Sequence, residues 1–413
     1  MNILDEVIEI LRTGYVCDHC LGREFAQILS GYSNAERGKM LRALAAMYAD
    51  SIQSLDDMDP SNFSEFKFRT DKLNQQKAEK KTCWICNGFF DRIDEFVKKI
   101  LKKIKKCEFN SFLVGSKLSS DLIENEEKLW DKIGIEHCEP IKAEINREVG
   151  KRIEKILEIK ADLRKPDLVI LLDLKNDDIE IKINPLFIYG EYQKLVRDIP
   201  QTKWPSGKYK TSVEEIIAKP VMKLTKGTGH KLHGLGREDI DARCLGWRPF
   251  VLEILEPRKR FIDLKSIESS INKGTKVKVR NLRFSNIDEV RKIKEIRSDK
   301  TYRVEIICER EITKNDIRKI LSLKGRIITQ RTPNRVLHRR SDLVRKRKLK
   351  DIKIKMINKK KLIATLTTEA GFYVKEFIHG DNGRTKPSIS SILNTNCEPK
   401  NLDVVKIHYK NKR

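Results

Sequence analysis

Two Cys-x-x-Cys pairs, Cys17/Cys20 and Cys83/Cys86, constrain the fold of this chain more than any other feature. Each has knuckle spacing, and four thiolates brought together form a closed tetrahedral zinc site with no coordination position left open. A closed site is structural, so the pairs are expected to tie two distant stretches of the N-terminal region into one body. His19 lies inside the first pair and offers a nitrogen, but four sulfurs already complete the set. Cys107, Cys138, Cys244, Cys308 and Cys397 stand alone and read as core residues.

Charge indicates where a partner binds. The 413 residues include 86 Lys or Arg and 60 Asp or Glu, a net charge of +26. Residues 1–200 hold 33 basic and 36 acidic side chains, a net of −3, whereas residues 201–413 hold 53 and 24, a net of +29. Heat-adapted enrichment in Lys and Glu raises both signs together and leaves no such asymmetry. A cationic half-chain is the footprint of a polyanion-binding surface. No run approaches the roughly 18 apolar residues of a membrane span. The N-terminus lacks the cationic-then-apolar pattern of a signal peptide, and the thiol chemistry suits the cytoplasm.

Periodicity divides the chain into regions. Helices are expected at 3–12, at 34–52 with Asn34 as N-cap, and at 91–105, with a polar linker or loosely ordered loop over 53–82. Residues 107–198 alternate strand-like runs (110–115, 168–174, 179–183 and 186–190) with a helix over 141–159, an α+β pattern. A boundary is expected near Ile199-Pro200, where the charge balance also changes. Beyond it strands are expected at 250–255, 275–279, 302–308, 362–366 and 404–408, with helices near 211–219, 286–296 and 313–321. Residues 331–361 hold 14 Lys or Arg against Asp342 and Asp351 and read as a basic insert.

The stretch Gly236-Arg237-Glu238-Asp239-Ile240-Asp241-Ala242-Arg243 sets carboxylates between two arginines. A carboxylate beside a guanidinium stays ionised and can serve as base or nucleophile. The glycine-broken run before it, Gly227 to Gly236, ends in no Gly-Lys-Ser/Thr and follows no strand-turn-helix pattern, so no nucleotide cofactor is expected there. It reads as a turn that presents Asp239. Farther on lie Lys300-Thr301-Tyr302-Arg303, Gln330-Arg331-Thr332-Pro333-Asn334-Arg335-Val336-Leu337-His338-Arg339-Arg340, and Gly371-Phe372-Tyr373-Val374-Lys375 leading to His379-Gly380-Asp381-Asn382-Gly383-Arg384-Thr385-Lys386-Pro387-Ser388.

These segments, in this order after a Gly-Arg-x-Asp loop, are arranged as in the pseudouridine synthases. The chain closely resembles the tRNA pseudouridine synthases numbered ten in that class, over 199–406 almost continuously and more loosely in the N-terminal half. The resemblance implies a zinc-bound helical part (1–106), a THUMP-like α+β RNA-binding module (107–198) and a catalytic domain (199–413). That domain would be built on a mixed, mainly antiparallel β-sheet flanked by helices, with 331–361 as a thumb. It implies that uridine is isomerised to pseudouridine at position 54 or 55 of the tRNA T-loop, with no catalytic cofactor and by a monomer. Asp239 would be nucleophile or base, Tyr302 would stack on the uracil, and Lys375 would pair with the aspartate. Arg237, Tyr373, Arg335, His338, Arg339, Arg340 and Arg384 would contact RNA. The family usually has an extra small residue where this chain has only Trp247 before Arg248-Pro249-Phe250, a shorter loop. A THUMP-bearing methyltransferase or thiouridine enzyme needs cofactor loops that the chain lacks. A non-catalytic RNA chaperone would explain the charge but not the order of Asp, Tyr and Lys.

Overall fold

In the computed structural model residues 2–409 are described, the Arg339 side chain excepted. The chain divides into two compact units, Met1–Asn184 and Pro185–Arg413.

The first unit has one continuous core, from Val7 of the first helix through Phe63 and Phe96 to Leu168 and Ile179 of a three-stranded sheet. The sheet is β1 (Phe112–Lys117), β2 (Leu168–Asp173) and β3 (Asp178–Ile183), with β1 and β2 parallel and β2 and β3 antiparallel. Helices Ser120–Ile133 and Ile141–Leu157 connect β1 to β2. Helix Asn34–Ile52 is capped by Ser33, one residue before the expected Asn34. Ser33 accepts from the Glu36 amide while Glu36 reaches back to Ser33, a capping box.

Residues 53–82 are not a linker. Phe63, Phe68 and Leu73 are buried, and the Asn62 side chain bonds Val16 N, Leu11 O and Gly14 O. Three phenylalanines, 63, 66 and 68, in edge-on contact supply the apolar area that the missing aliphatic residues would have given.

The second unit is a ten-stranded sheet. Its strands are β4 (Leu186–Lys194), β5 (Gly229–Gly234), β6 (Arg243–Leu255), β7 (Val277–Ser285), β8 (Asp299–Cys308), β9 (Ile327–Arg331), β10 (Val344–Asn358), β11 (Lys361–Thr368), β12 (Thr385–Lys386) and β13 (Cys397–His408). They run in the order β12-β9-β10-β11-β8-β13-β6-β4-β7, with β5 on β6, and only β13 and β6 pair parallel. The sheet is therefore mixed and mainly antiparallel, as expected. Because β4 lies between β6 and β7, the unit begins before the 198/199 boundary that the charge change suggested.

Residues 331–361 are likewise no insert. β10 pairs with both β9 and β11, and its lysines conceal a strand alternation in which Leu349 and Ile352 are buried while Lys350, Lys353 and Lys355 face water. A register shift between Leu349 and Asp351 breaks the strict period of two and hides the pattern from sequence. The connection from β9 to β10, with its turn through Asn334–Arg339, stands off the sheet. The shortened segment at Trp247 is also strand, and the Arg280 guanidinium lies 4.3 Å from the Trp247 ring centre. Among the described residues no helix is long and apolar enough to cross a membrane.

Helices Asp18–Arg23 and Asn34–Ile52 cross with their backbones in contact. A Cβ on Gly38 would stand 1.9 Å from Asp18 O, and one on Gly22 1.8 Å from Asn34 O. Alanine in a helix interior ordinarily gains about 1 kcal/mol over glycine. Here the overlap is with backbone and must win. Gly38→Ala is expected to lower stability by about 3 kcal/mol in denaturant titration, and an unchanged or raised midpoint would refute the close crossing.

Candidate active site

A cleft of about 570 Å³ opens in the second unit, lined by Gly236 to Asp239, Lys300, Tyr302, Arg335, Arg340 and Tyr373 to Lys375. Its floor is the loop between β5 and β6, whose position is fixed from beneath. Arg248 and Glu238 are both fully buried, Nε to Oε2 3.1 Å. Arg248 Nη1 donates to Leu235 O at 2.7 Å, and Tyr192 Oη donates to the Glu238 carboxylate at 3.0 Å. Gln201 Nε2 donates to Gly236 O at 3.0 Å and to Tyr192 Oη. The ammonium of Lys194, also buried, donates to Ile199 O, Asp239 O and Ile240 O at 3.0–3.1 Å. Burial pushes it down from the usual lysine value, against the pull of Glu238.

On this floor Asp239 is one-third exposed. Its carboxylate meets Arg335 Nη1 at 3.2 Å and Lys375 Nζ at 3.5 Å. Arg335 comes from the turn after β9, and its Nε simultaneously binds the buried Glu376 at 2.7 Å. Burial works against the Arg335 charge, but the two carboxylates outweigh it and raise its pKa. Lys375 sits closer to Asp241, at 2.7 and 2.8 Å. Burial pushes the Asp241 carboxyl up, and the Lys375 contact more than offsets this, leaving it below its ordinary value. Lys375 therefore bridges two aspartates. Tyr302, on β8, faces the same cleft, and burial pushes its hydroxyl up to about 12.

Four expected residues, Asp239, Tyr302, Lys375 and Arg335, thus converge. Arg237 is exposed at the rim, and Arg340 Nη1 reaches the Tyr373 hydroxyl at 3.3 Å. Tyr373 is held by its backbone, which exchanges two bonds with the buried Gln330 side chain. His338 is exposed off the cleft lining, and the Arg339 side chain lies outside the described part. Arg384 is engaged elsewhere, donating to Thr332 O at 2.8 Å and pairing with Asp342, so it braces the turn that carries Arg335. Arg243 pairs with neither Asp239 nor Asp241. It makes a two-pronged pair with Asp403 of β13, at 2.7 and 2.9 Å, which Arg197 joins at 2.6 Å. The guanidinium beside Asp239 is supplied from far along the chain rather than by its neighbours in sequence.

Lys194, Glu238, Arg248 and Glu376 carry much of this geometry, and the sequence reading gave none of them a role. A charge inside an apolar strand, as in Trp247-Arg248-Pro249-Phe250, is the one cue available, since such a charge must meet a buried partner.

In the first unit the sulfurs of Cys17, Cys20, Cys83 and Cys86 lie within 4.8 Å of one another, all buried, with Cys17 and Cys86 3.7 Å apart. A tetrahedron of thiolates about 2.3 Å from a zinc ion needs sulfur separations of about 3.8 Å, so the donor set fits. His19 turns away, its Nδ1 2.8 Å from Glu144 and its ring stacked on Phe90.

The family model described as Pus10, C-terminal, matches residues 187–408, and that described as Pus10 THUMP domain, archaeal, matches residues 96–173. Relatives named tRNA pseudouridine synthase Pus10 are similar throughout. That of Methanopyrus kandleri is 37% identical, over 98% of this chain and 98% of its own length. That of Thermofilum pendens is 39% identical, over 98% and 95%. That of Archaeoglobus fulgidus is 43% identical, over 80% and 95%.

Removing one member of a buried ion pair strands the other charge. Glu238→Ala is expected to cost about 3 kcal/mol or more of unfolding free energy. A loss below about 1 kcal/mol would show that the loop is not fixed through this pair.

Proposed function

The chain belongs to the Pus10 family of tRNA pseudouridine synthases, and on that premise we propose that its cleft isomerises T-loop uridine 54 or 55 of tRNA with Asp239 as the reacting carboxylate. The observation that carries the reading is the convergence of Asp239, Tyr302 and Lys375 from three distant segments on one cleft. The protein is an isomerase, and the exchange of an N-glycosidic for a C-glycosidic bond within one nucleotide requires no cofactor.

Arg335 and Lys375 pair with the Asp239 carboxylate and orient it, as a nucleophile at C1′ or as the base of a glycal route requires. Tyr302 offers its ring to the uracil and its hydroxyl, kept protonated by burial, as a donor. The uridine must leave its stack to reach the cleft. Arg237, Arg340, His338 and the outward lysines of β10, all exposed, take the tRNA phosphates in this reading. Arg384 contributes by bracing the Arg335 turn. The first unit, with its THUMP match, reads tRNA shape while a zinc ion on the four cysteines holds its helical part together. We take the enzyme to act on the T-arm as a cytoplasmic monomer.

The test is incubation of the purified protein with an unmodified tRNA transcript, followed by mapping of pseudouridine. Product at position 54 or 55 is expected; conversion confined to other arms, or none, would contradict the proposal. Metal analysis should find one zinc per chain, and Cys83→Ser should lose it together with cooperative unfolding of the first unit. Metal-free, fully folded wild type would refute the zinc assignment.

A further inference from the structure

Lys300 is a cation in the cleft for which the reading above has no use. It precedes Tyr302 by two residues on β8, so both side chains leave the same face of the strand, and both line the cleft with Asp239. A Cβ on Gly236 would stand 3.5 Å from its Nζ and 3.5 Å from Arg248 Nη1, which puts both cations against the loop at Gly236. The charged and titratable groups that face it are Arg248 and Cys244 of β6, Glu238 of the loop and Asp299 of its own strand. The two carboxylates are already engaged, Glu238 by Arg248 and Tyr192, Asp299 by Lys350. Among the described residues the side-chain ammonium of Lys300 has neither hydrogen bond nor ion pair. Burial pushes its ammonium down to about 8, and Arg248 adds to the fall.

A half-buried ammonium beside a buried guanidinium, with every nearby carboxylate engaged, is unfavourable until an anion arrives. The reaction generates one. When the C1′–N1 bond breaks, its electron pair leaves with the uracil, which becomes an anion spread over N1, O2 and O4. Rejoining forms the C1′–C5 bond; C5 then gives up its proton and N1 gains one, so the product is an isomer. Asp239 acts on the sugar and Tyr302 covers the ring face, while Arg335 and Lys375 are bound to carboxylates. The other unpaired cleft cations, Arg237 and Arg340, are exposed and serve the phosphates in this reading, which leaves Lys300 as the half-buried cation bound to no carboxylate.

We propose that Lys300 donates to a carbonyl oxygen of the detached uracil and stabilises its negative charge, an inference that rests on the pseudouridine synthase reading. It is strongest in the transition state, because the charge is absent from the bound substrate. The phosphate of the flipped nucleotide is the other oxyanion within the substrate, and affinity separates the two.

Wild type, Lys300→Met and Lys300→Arg are to be compared on an unmodified tRNA transcript, in single-turnover rate and in Kd. Lys300→Met is expected to lose about 10²-fold in rate with its Kd unchanged, and Lys300→Arg to recover most of it. Wild-type kcat/KM should fall as pH rises through about 8, as the free enzyme's ammonium loses its proton. With arginine the plateau should extend to higher pH. Weaker binding at an unchanged rate would assign Lys300 to phosphate and overturn the proposal. So would an active methionine variant, or a loss that arginine does not rescue with the pH profile unmoved. A wild type that forms no pseudouridine would refute the activity itself rather than this residue's part in it.

Discussion

The buried pair of Glu238 and Arg248 is the contact on which the cleft depends. Taking two charges out of water costs several kcal/mol per ion, so such a pair contributes position more than stability. Here it fixes a loop that has almost no regular structure. Leu235 O is bound by Arg248, Gly236 O by Gln201, and Asp239 O and Ile240 O by Lys194. Four carbonyls in six residues are thereby held from below, and the side chain of Asp239 leaves the loop in one direction. The cations that orient it arrive from the turn after β9 and from helix Val374–His379, each secured in turn by Glu376, Asp241 or Gln330. A carboxylate on a fixed floor, with partners on separate elements, meets the geometric demand of positional catalysis.

Much of this was legible in the sequence. The resemblance singled out Asp239, Tyr302 and Lys375, which one cleft brings together, and it also implied the mixed, mainly antiparallel sheet. What escaped was non-local. Arg243 looked like the partner of its neighbouring carboxylates, yet it binds Asp403, because β6 and β13 pair parallel and set those residues opposite each other. Arg335 looked like an RNA contact, and its position between Asp239 and Glu376 is visible only once the turn folds back over the loop. β10 was hidden by its own lysines, since the outward face of an edge-to-edge paired strand can be uniformly cationic while Leu349 and Ile352 keep the inner face apolar. The glycine-rich run was taken for a turn, and Gly229–Gly234 is a strand on β6.

The first unit teaches a related lesson. Its four cysteines were found by spacing alone, but the segment between them was misread because polarity was judged by average. A few phenylalanines and one well-bonded asparagine are enough to pack a polar stretch against a core. The near-neutral charge of this region, set against the cationic second unit, fits a division between reading shape and holding phosphate.

The central claim is that Asp239, and not Asp241, is the carboxylate that reacts. The two lie two residues apart and share Lys375, with Asp241 the closer to it, so proximity to the lysine alone would favour the wrong one. Single-turnover pseudouridine formation by Asp239→Asn and Asp241→Asn on the same tRNA transcript separates them. The account predicts no product from Asp239→Asn with tRNA still bound, and product from Asp241→Asn within about tenfold of wild type, the scale of losing one exposed ion pair. Turnover by Asp239→Asn, with Asp241→Asn inactive, would contradict it.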